Sequence, residues 1–193
     1  MLWIIPKIEE MFDRFLKRKL KVPYILQINK NACGAAVLEM VYRYYGLNDI
    51  SQEDIFNKYK EHEPYGSGNF RITVDNIVSD AKERGFSSFW NRINCANHKD
   101  AINTLKRLTM DLRIPVIVCQ KFTEEQPLIG HFRIVVGIKN NIVYVHDPHV
   151  SNGGKDKEWV IERFMEFWQP TGENVTGGVY VVIKNKKKRQ EIF

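Results

Sequence analysis

The spacing of the apolar positions changes once along this chain, at Pro115. Before it they recur mostly at helical intervals; after it they come in short blocks of strand length. Ile8, Met11, Phe12, Phe15 and Leu16 sit at i, i+3, i+4, i+7 and i+8, which predicts an amphipathic helix over residues 7–20. Its acids come first (Glu9, Glu10, Asp13) and its bases last (Arg14, Lys17, Arg18, Lys19), as the helix dipole favours. Lys21 to Gln27 reads as extended. Asn31 is a favoured N-cap, and the Ala-, Leu-, Met-, Val- and Tyr-rich run from Ala32 to Tyr45 predicts a helix stopped by Gly46. Ser51-Gln52-Glu53-Asp54 has a capping-box pattern, predicting a short helix to Tyr59, and residues 60–72 form a loop. Val74, Ile77, Val78 and Ala81 mark a further helix ending at Gly85. Phe86 to Trp90 reads as a strand, and Ile102, Leu105 and Leu108 mark a helix ending before Pro115.

Beyond that point Pro115 to Gln120 is a continuous apolar run, hence a buried strand. His131–Ile138 and Ile142–His146 form a hairpin around Lys139-Asn140-Asn141. Residues 158–168 are helical towards Phe164, Phe167 and Trp168, and Gly178–Ile183 closes as a strand. Helices followed by a meander of strands is an α+β order.

Composition narrows the class. With 193 residues, 44% of them apolar and 12% aromatic, the chain is long enough for a core of its own. The net charge of +6 comes partly from a basic tail, 184–193, which reads as a solvated end; nothing resembles a nucleic-acid-binding motif. No apolar run reaches the length of a membrane span, and Pro6, Glu9 and Glu10 break up the start, so neither a transmembrane segment nor a signal peptide is expected. Three cysteines (33, 95, 119) make no paired framework and suit a reducing compartment, and the expected location is the cytoplasm. Cys119 reads as a core residue and Cys95 as a loop residue without partners. Three uses of residues 1–20 stay open: packing on the body, lying on a membrane surface through Trp3 and the basic end, or docking to a partner or over a cleft.

The candidate chemistry begins at Cys33. A thiol in the first turn of a helix meets unsatisfied N–H groups and the positive end of the dipole, which stabilise the thiolate, the attacking species. Gln27, six positions earlier, can aim an amide N–H at the same place and complete an oxyanion hole with the Cys33 backbone N–H. If Ile138 pairs with Ile142 across a three-residue turn, Arg133 faces Asp147, with His131 diagonal to Asp147 on the same face as Arg133, Val135, Val143 and Val145. A two-residue turn would flip that pairing and part His131 from Asp147. In this register His131 takes the Cys33 proton and returns it to the leaving amine, while Asp147 orients the imidazole. Asp147 pairing with Arg133 instead is the plain alternative. His146, Asp147 and His149 also have metal-competent side chains, but alternate faces of a strand keep the first two apart, so neither a metal nor another cofactor is expected.

Taken together, Val-Pro-Tyr-Ile-Leu-Gln-x5-Cys-Gly-Ala-Ala, Gly-His-Phe-Arg-Ile-Val-Val-Gly-Ile and Val-Tyr-Val-His-Asp-Pro, over residues 21–183, resemble the C39-like peptidases, a branch of the papain-like cysteine proteases. The resemblance implies a papain-like α+β fold with the Cys helix packed on an antiparallel sheet. It also implies Cys33 as nucleophile, His131 as base, Asp147 as orienting group and Gln27 in the oxyanion hole. Two departures limit the carry-over. Ala32 stands where many members have Asp, and there is neither a membrane span nor a nucleotide-binding loop of the kind fused to members that cut after a double glycine. The expectation is therefore a stand-alone cysteine peptidase acting on a peptide or protein substrate. Glutamine deamidation or acyl transfer by the same triad is the first alternative, and a non-cutting peptide-binding module the second.

Overall fold

The computed structural model describes residues 19–60, 71–151 and 153–185. Most of the N-terminal helix expected over 7–20, the loop at 61–70 and the tail beyond 185 lie outside the described residues. The described elements are helices α1 (Cys33–Tyr44), α2 (Gln52–Lys60), α3 (Val74–Glu83), α4 (His98–Lys106) and α5 (Ile161–Phe167), and strands β1 (Ser87–Arg92), β2 (Val116–Lys121), β3 (Gly130–Lys139), β4 (Ile142–Asp147), β5 (Gly154–Val160) and β6 (Val179–Lys184). The strands form one antiparallel sheet in the order β1-β6-β2-β3-β4-β5.

Helices cover both faces of the sheet. On one face α1, α2 and α3 pack Leu38, Val41, Ile55 and Ile77 against Ile117, Ile134, Val136 and Val181. On the other, α4 and α5 bring Leu105, Phe164 and Trp168 onto Val116, Val135, Val145 and Val182. Double coverage is why the central strands read as unbroken apolar runs rather than alternating ones. An apolar side chain buried in this way contributes about 1.5–3 kcal/mol.

Four local expectations are corrected. Helix α1 is capped at Ala32, without a side-chain hydrogen bond; the chain enters it through Asn29, whose Oδ1 accepts from Asn31 N–H (2.9 Å) and whose carbonyl accepts from Ala32 N–H (3.2 Å). Residues 154–160, unassigned or helical by pattern, form edge strand β5. A π-helical turn, Arg107–Asp111, extends α4. Cys95 is buried rather than unpartnered, its Sγ donating to the Trp168 carbonyl at 3.2 Å.

The hairpin is also corrected, with a consequence for the site. Its turn has two residues, since Lys139 pairs with Ile142 and Ile138 with Val143. By itself that would reverse the faces. A β-bulge between Val135 and Gly137 supplies the residue that the turn lacks, and the pairing resumes as Val135–Val145 and Ile134–His146. The bulge sends Ile138 to the α4/α5 face and leaves Arg133 and Asp147 where the three-residue turn would have put them. The N-terminal strap holds the bulge: Leu20 N–H donates to the Val136 carbonyl at 2.7 Å. Gly137 admits the strap, because a Cβ there would lie 2.8 Å from Lys19 Cβ.

Candidate active site

Cys33 opens α1 and is 8% exposed. Because no capping side chain claims the helix terminus, its N–H groups are open to the sulfur, which accepts from Gly34 N–H and also from Phe132 N–H on β3. Gly34 permits this close seating: a Cβ there would meet Ile72 Cβ at 3.1 Å and the Phe132 ring at 3.3 Å. Helix start and strand are thereby packed so that the Cys33 thiol is hydrogen-bonded to the His131 ring.

His131 is 3% exposed. Its Nε2–H donates to Asp147 Oδ1 at 2.8 Å, which leaves Nδ1 for the Cys33 thiol. Asp147, 1% exposed, is satisfied on both oxygens: Oδ1 also accepts from His149 N–H (3.1 Å), and Oδ2 accepts from Arg133 Nε (2.7 Å). The two contacts read as alternatives for Asp147, with His131 and with Arg133, are made at once, one on each oxygen. His146 points the other way, donating from Nε2 to the Val22 carbonyl (3.0 Å) and accepting at Nδ1 from Asp156 N–H (3.0 Å). Its ring is therefore neutral and turned from Asp147.

The charges follow from these contacts. Burial pushes the Cys33 thiol up, but the His131 ring and the two N–H donors outweigh it and hold the pKa below the ordinary thiol value. For His131, burial and the Arg133 guanidinium act downward, yet Cys33 and Asp147 prevail and the pKa is raised. Asp147 is held well below the carboxylate range despite its burial, by the His131 hydrogen bond and by Arg133. A thiol pushed down beside an imidazole pushed up is the charge pattern of a thiolate–imidazolium pair. The other cysteines contrast with it, since burial takes Cys95 up to about 11 and Cys119 up to about 12.

Gln27 is 2% exposed and its backbone lies against the end of β4: its N–H donates to the Pro148 carbonyl at 2.9 Å, one residue past Asp147. One amide N–H of its side chain is used on the Asn29 carbonyl (2.7 Å), so the second is free to face a ligand. The Gln27 backbone is clamped from α2, where Gln52 donates to the Leu26 carbonyl (2.6 Å) and accepts from Ile28 N–H (2.9 Å). Above the His131 ring lie Phe122 and His149, with centroids 5.1 and 6.1 Å from it. Gln52 and Phe122 were not found as site residues by sequence reasoning, and His149 was read only as a metal-competent side chain. Only His149, two residues past Asp147, carries a positional hint.

Among the described residues no helix is long and apolar enough to cross a membrane. The model of the Peptidase_C39 like family matches residues 19–176. The peptidase domain of Streptococcus ComA, a bifunctional ABC transporter of a quorum-sensing pathway, is 25% identical, with a TM-score of 0.61 over 84% of this chain and 97% of that one. A double-glycine-motif protease from an AMS/PCAT transporter, solved with its leader peptide, is 23% identical (TM-score 0.62; 87% and 94% covered). A putative C39-like peptidase from Bacillus anthracis shares the fold at 16% identity (TM-score 0.62; 86% and 96% covered). No curated protein matches.

Proposed function

The chain belongs to the C39-like peptidase family, and on that premise we propose that it is a cysteine peptidase with Cys33 as nucleophile, His131 as base and acid, Asp147 as orienting carboxylate and Gln27 as oxyanion donor. The observation that carries this reading is a thiol at a helix N-terminus bonded to a buried imidazole whose far nitrogen is held by a buried carboxylate. His131 Nδ1 takes the Cys33 proton and the sulfur attacks the scissile carbonyl. Charge then develops on the carbonyl oxygen, where the Cys33 backbone N–H and the second Gln27 amide N–H receive it. The tetrahedral species collapses as His131 protonates the leaving amine, giving a thioester on Cys33. His131 next takes a proton from water, the resulting hydroxide attacks the thioester, and the acid product and thiol are released. Asp147 stays ionised throughout and stabilises the imidazolium.

The surroundings suit an extended peptide with apolar side chains, a leader segment included. Leu26 and Ile28, each 50% exposed, flank Gln27; Leu128 and Val150, each 61% exposed, lie in the segments leading to His131 and following His149. Deamidation and acyl transfer share every step up to the thioester and differ in the substrate and in what accepts the acyl group.

Iodoacetamide labelling with mass-spectrometric readout tests the nucleophile. At neutral pH Cys33 is expected to react at least about tenfold faster than Cys95 and Cys119, as the thiolate fractions require. Equal rates would remove Cys33 from the role. Profiling a treated proteome for new chain ends, against mass gain at Gln without scission, separates peptidase from deamidase.

A further inference from the structure

Within that reading we propose that Arg133 is the positioning residue of the site: its guanidinium ties the Asp147 carboxylate to the main chain carrying Phe122, so the group that orients His131 and the ring that covers it are held as one body. All three guanidinium nitrogens donate. Nε donates to Asp147 Oδ2 at 2.7 Å, Nη1 to the Lys121 carbonyl at 3.1 Å and Nη2 to the Phe122 carbonyl at 2.8 Å. Only 3% of Arg133 is exposed, and the guanidinium carbon lies 5.0 Å from the Trp159 ring centroid and 5.7 Å from that of Phe167. A planar fork laid against two aromatic rings cannot be replaced by the single point of a lysine ammonium.

Its charge matters as much as its shape. A buried thiolate, imidazolium and carboxylate sum to one net negative charge, which is costly away from water. Arg133 brings the sum to zero. It therefore weakens the hold of Asp147 on the His131 proton, and a proton held less tightly is more readily given to a leaving amine. The other titratable groups that act on His131 or Arg133 are Cys33 on α1, Cys119 on β2 and His149; farther out, Lys157 on β5 acts on His149, and Lys121 and Arg163 lie over the Phe167 ring, Lys121 paired with Glu166. Lys121 is already paired with Glu166 at 2.8 Å, so within the site Asp147 is the partner that Arg133 neutralises.

The test is the titration of His131, followed by NMR of the full chain labelled at histidine, together with the rate at which iodoacetate alkylates Cys33. Arg133→Gln is expected to move the His131 midpoint up by about one pH unit, the size of a single strong charge interaction. Arg133→Lys keeps the charge but loses the fork. It is expected to leave the midpoint in place and slow alkylation about tenfold, as the ring is no longer held in line with the sulfur. A purely structural arginine would lower the melting temperature in both variants and move neither readout, which would overturn the proposal. Should Arg133→Gln fail to fold, an Arg133→Lys protein that alkylates at the wild-type rate overturns it alone. Failure of the underlying reading looks different: Cys33→Ser would then leave the His131 midpoint unmoved, whereas a true thiol–imidazole pair requires it to fall.

Discussion

Among the described residues two aspartates are buried, one near each end of α1, and they behave differently because of their partners. Asp80 on α3 is fully buried and accepts from the Tyr42 hydroxyl (2.6 Å), Lys58 Nζ (2.9 Å) and Arg84 Nε (2.6 Å). Asp147 accepts from His131, Arg133 and the His149 N–H. Both carboxylates are held below their ordinary pKa against the opposing effect of burial. Around Asp80 every partner keeps its proton across the physiological range, since burial and Asp80 push the Tyr42 phenol up and the net shift of Lys58 is also upward. The Asp80 cluster therefore fastens α1, α2 and α3 together. At Asp147 one partner can titrate, and that partner touches a thiol. A buried carboxylate is a fastener when its neighbours cannot change state and an orienting group when one can.

Replacing each aspartate by asparagine breaks the comparison open. Asp147→Asn is expected to lower peptidase turnover by about 10⁴-fold, the size seen when the orienting acid of a triad is neutralised, and to slow Cys33 alkylation with it. Asp80→Asn leaves Lys58 and Arg84 facing a neutral amide. It should cost about 3–5 kcal/mol of folding stability while the folded fraction alkylates at the wild-type rate. Urea unfolding and alkylation measured on the same samples check both. Loss of alkylation in folded Asp80→Asn would show that the helix packing, rather than the partners of Asp147, sets the thiol.

The pH dependence sharpens the contrast. Since the folded pKa of Asp80 lies below its unfolded value of about 3.9, its contribution is fully present above about pH 4 and is lost as the pH falls through the folded value. Asp80→Asn should flatten this acid arm of the stability curve. The rise of Cys33 alkylation with pH, whose midpoint in the wild type is expected below the ordinary thiol value of about 8.5, should stay where it is. A midpoint that moves with Asp80→Asn would join the two clusters into one electrostatic unit.

Sequence pattern reached the helix carrying Cys33, the strands carrying His131 and Asp147, and the face they share. The face came out right although the turn did not. The two-residue turn shifts the register by one, and the bulge beyond Val135 shifts it back; a bulge held by the Leu20 N–H leaves no mark in the hydrophobic pattern. Edge strand β5 was missed because Lys155, Asp156, Lys157 and Glu158 form an unbroken polar run with no alternation to read. The full use of the Arg133 fork was hidden for another reason: two of its acceptors are backbone carbonyls at the end of β2, and backbone partners have no sequence signature. The same holds for Cys95, whose acceptor is the carbonyl of a residue 73 positions away.

The smallest test takes one tyrosine from each cluster. The Tyr42 hydroxyl donates directly to the Asp80 carboxylate at 2.6 Å in a buried setting, a charge-assisted bond worth about 1.5–3 kcal/mol. The Tyr24 hydroxyl donates at 3.0 Å to the main-chain carbonyl of Asp147, not to its carboxylate, and from a half-buried ring, so about 0.5–1.5 kcal/mol is expected. Tyr42→Phe and Tyr24→Phe should therefore lower the urea midpoint in that order with the slope unchanged. Cys33 alkylation should stay within about twofold of wild type in both, because the carboxylate of Asp147 keeps its three donors. If Tyr24→Phe alone slowed alkylation tenfold, the strap that carries Tyr24 would be setting the position of Asp147. The distinction between fastener and orienting group would then lie in the backbone around each aspartate rather than in the side chains that face it.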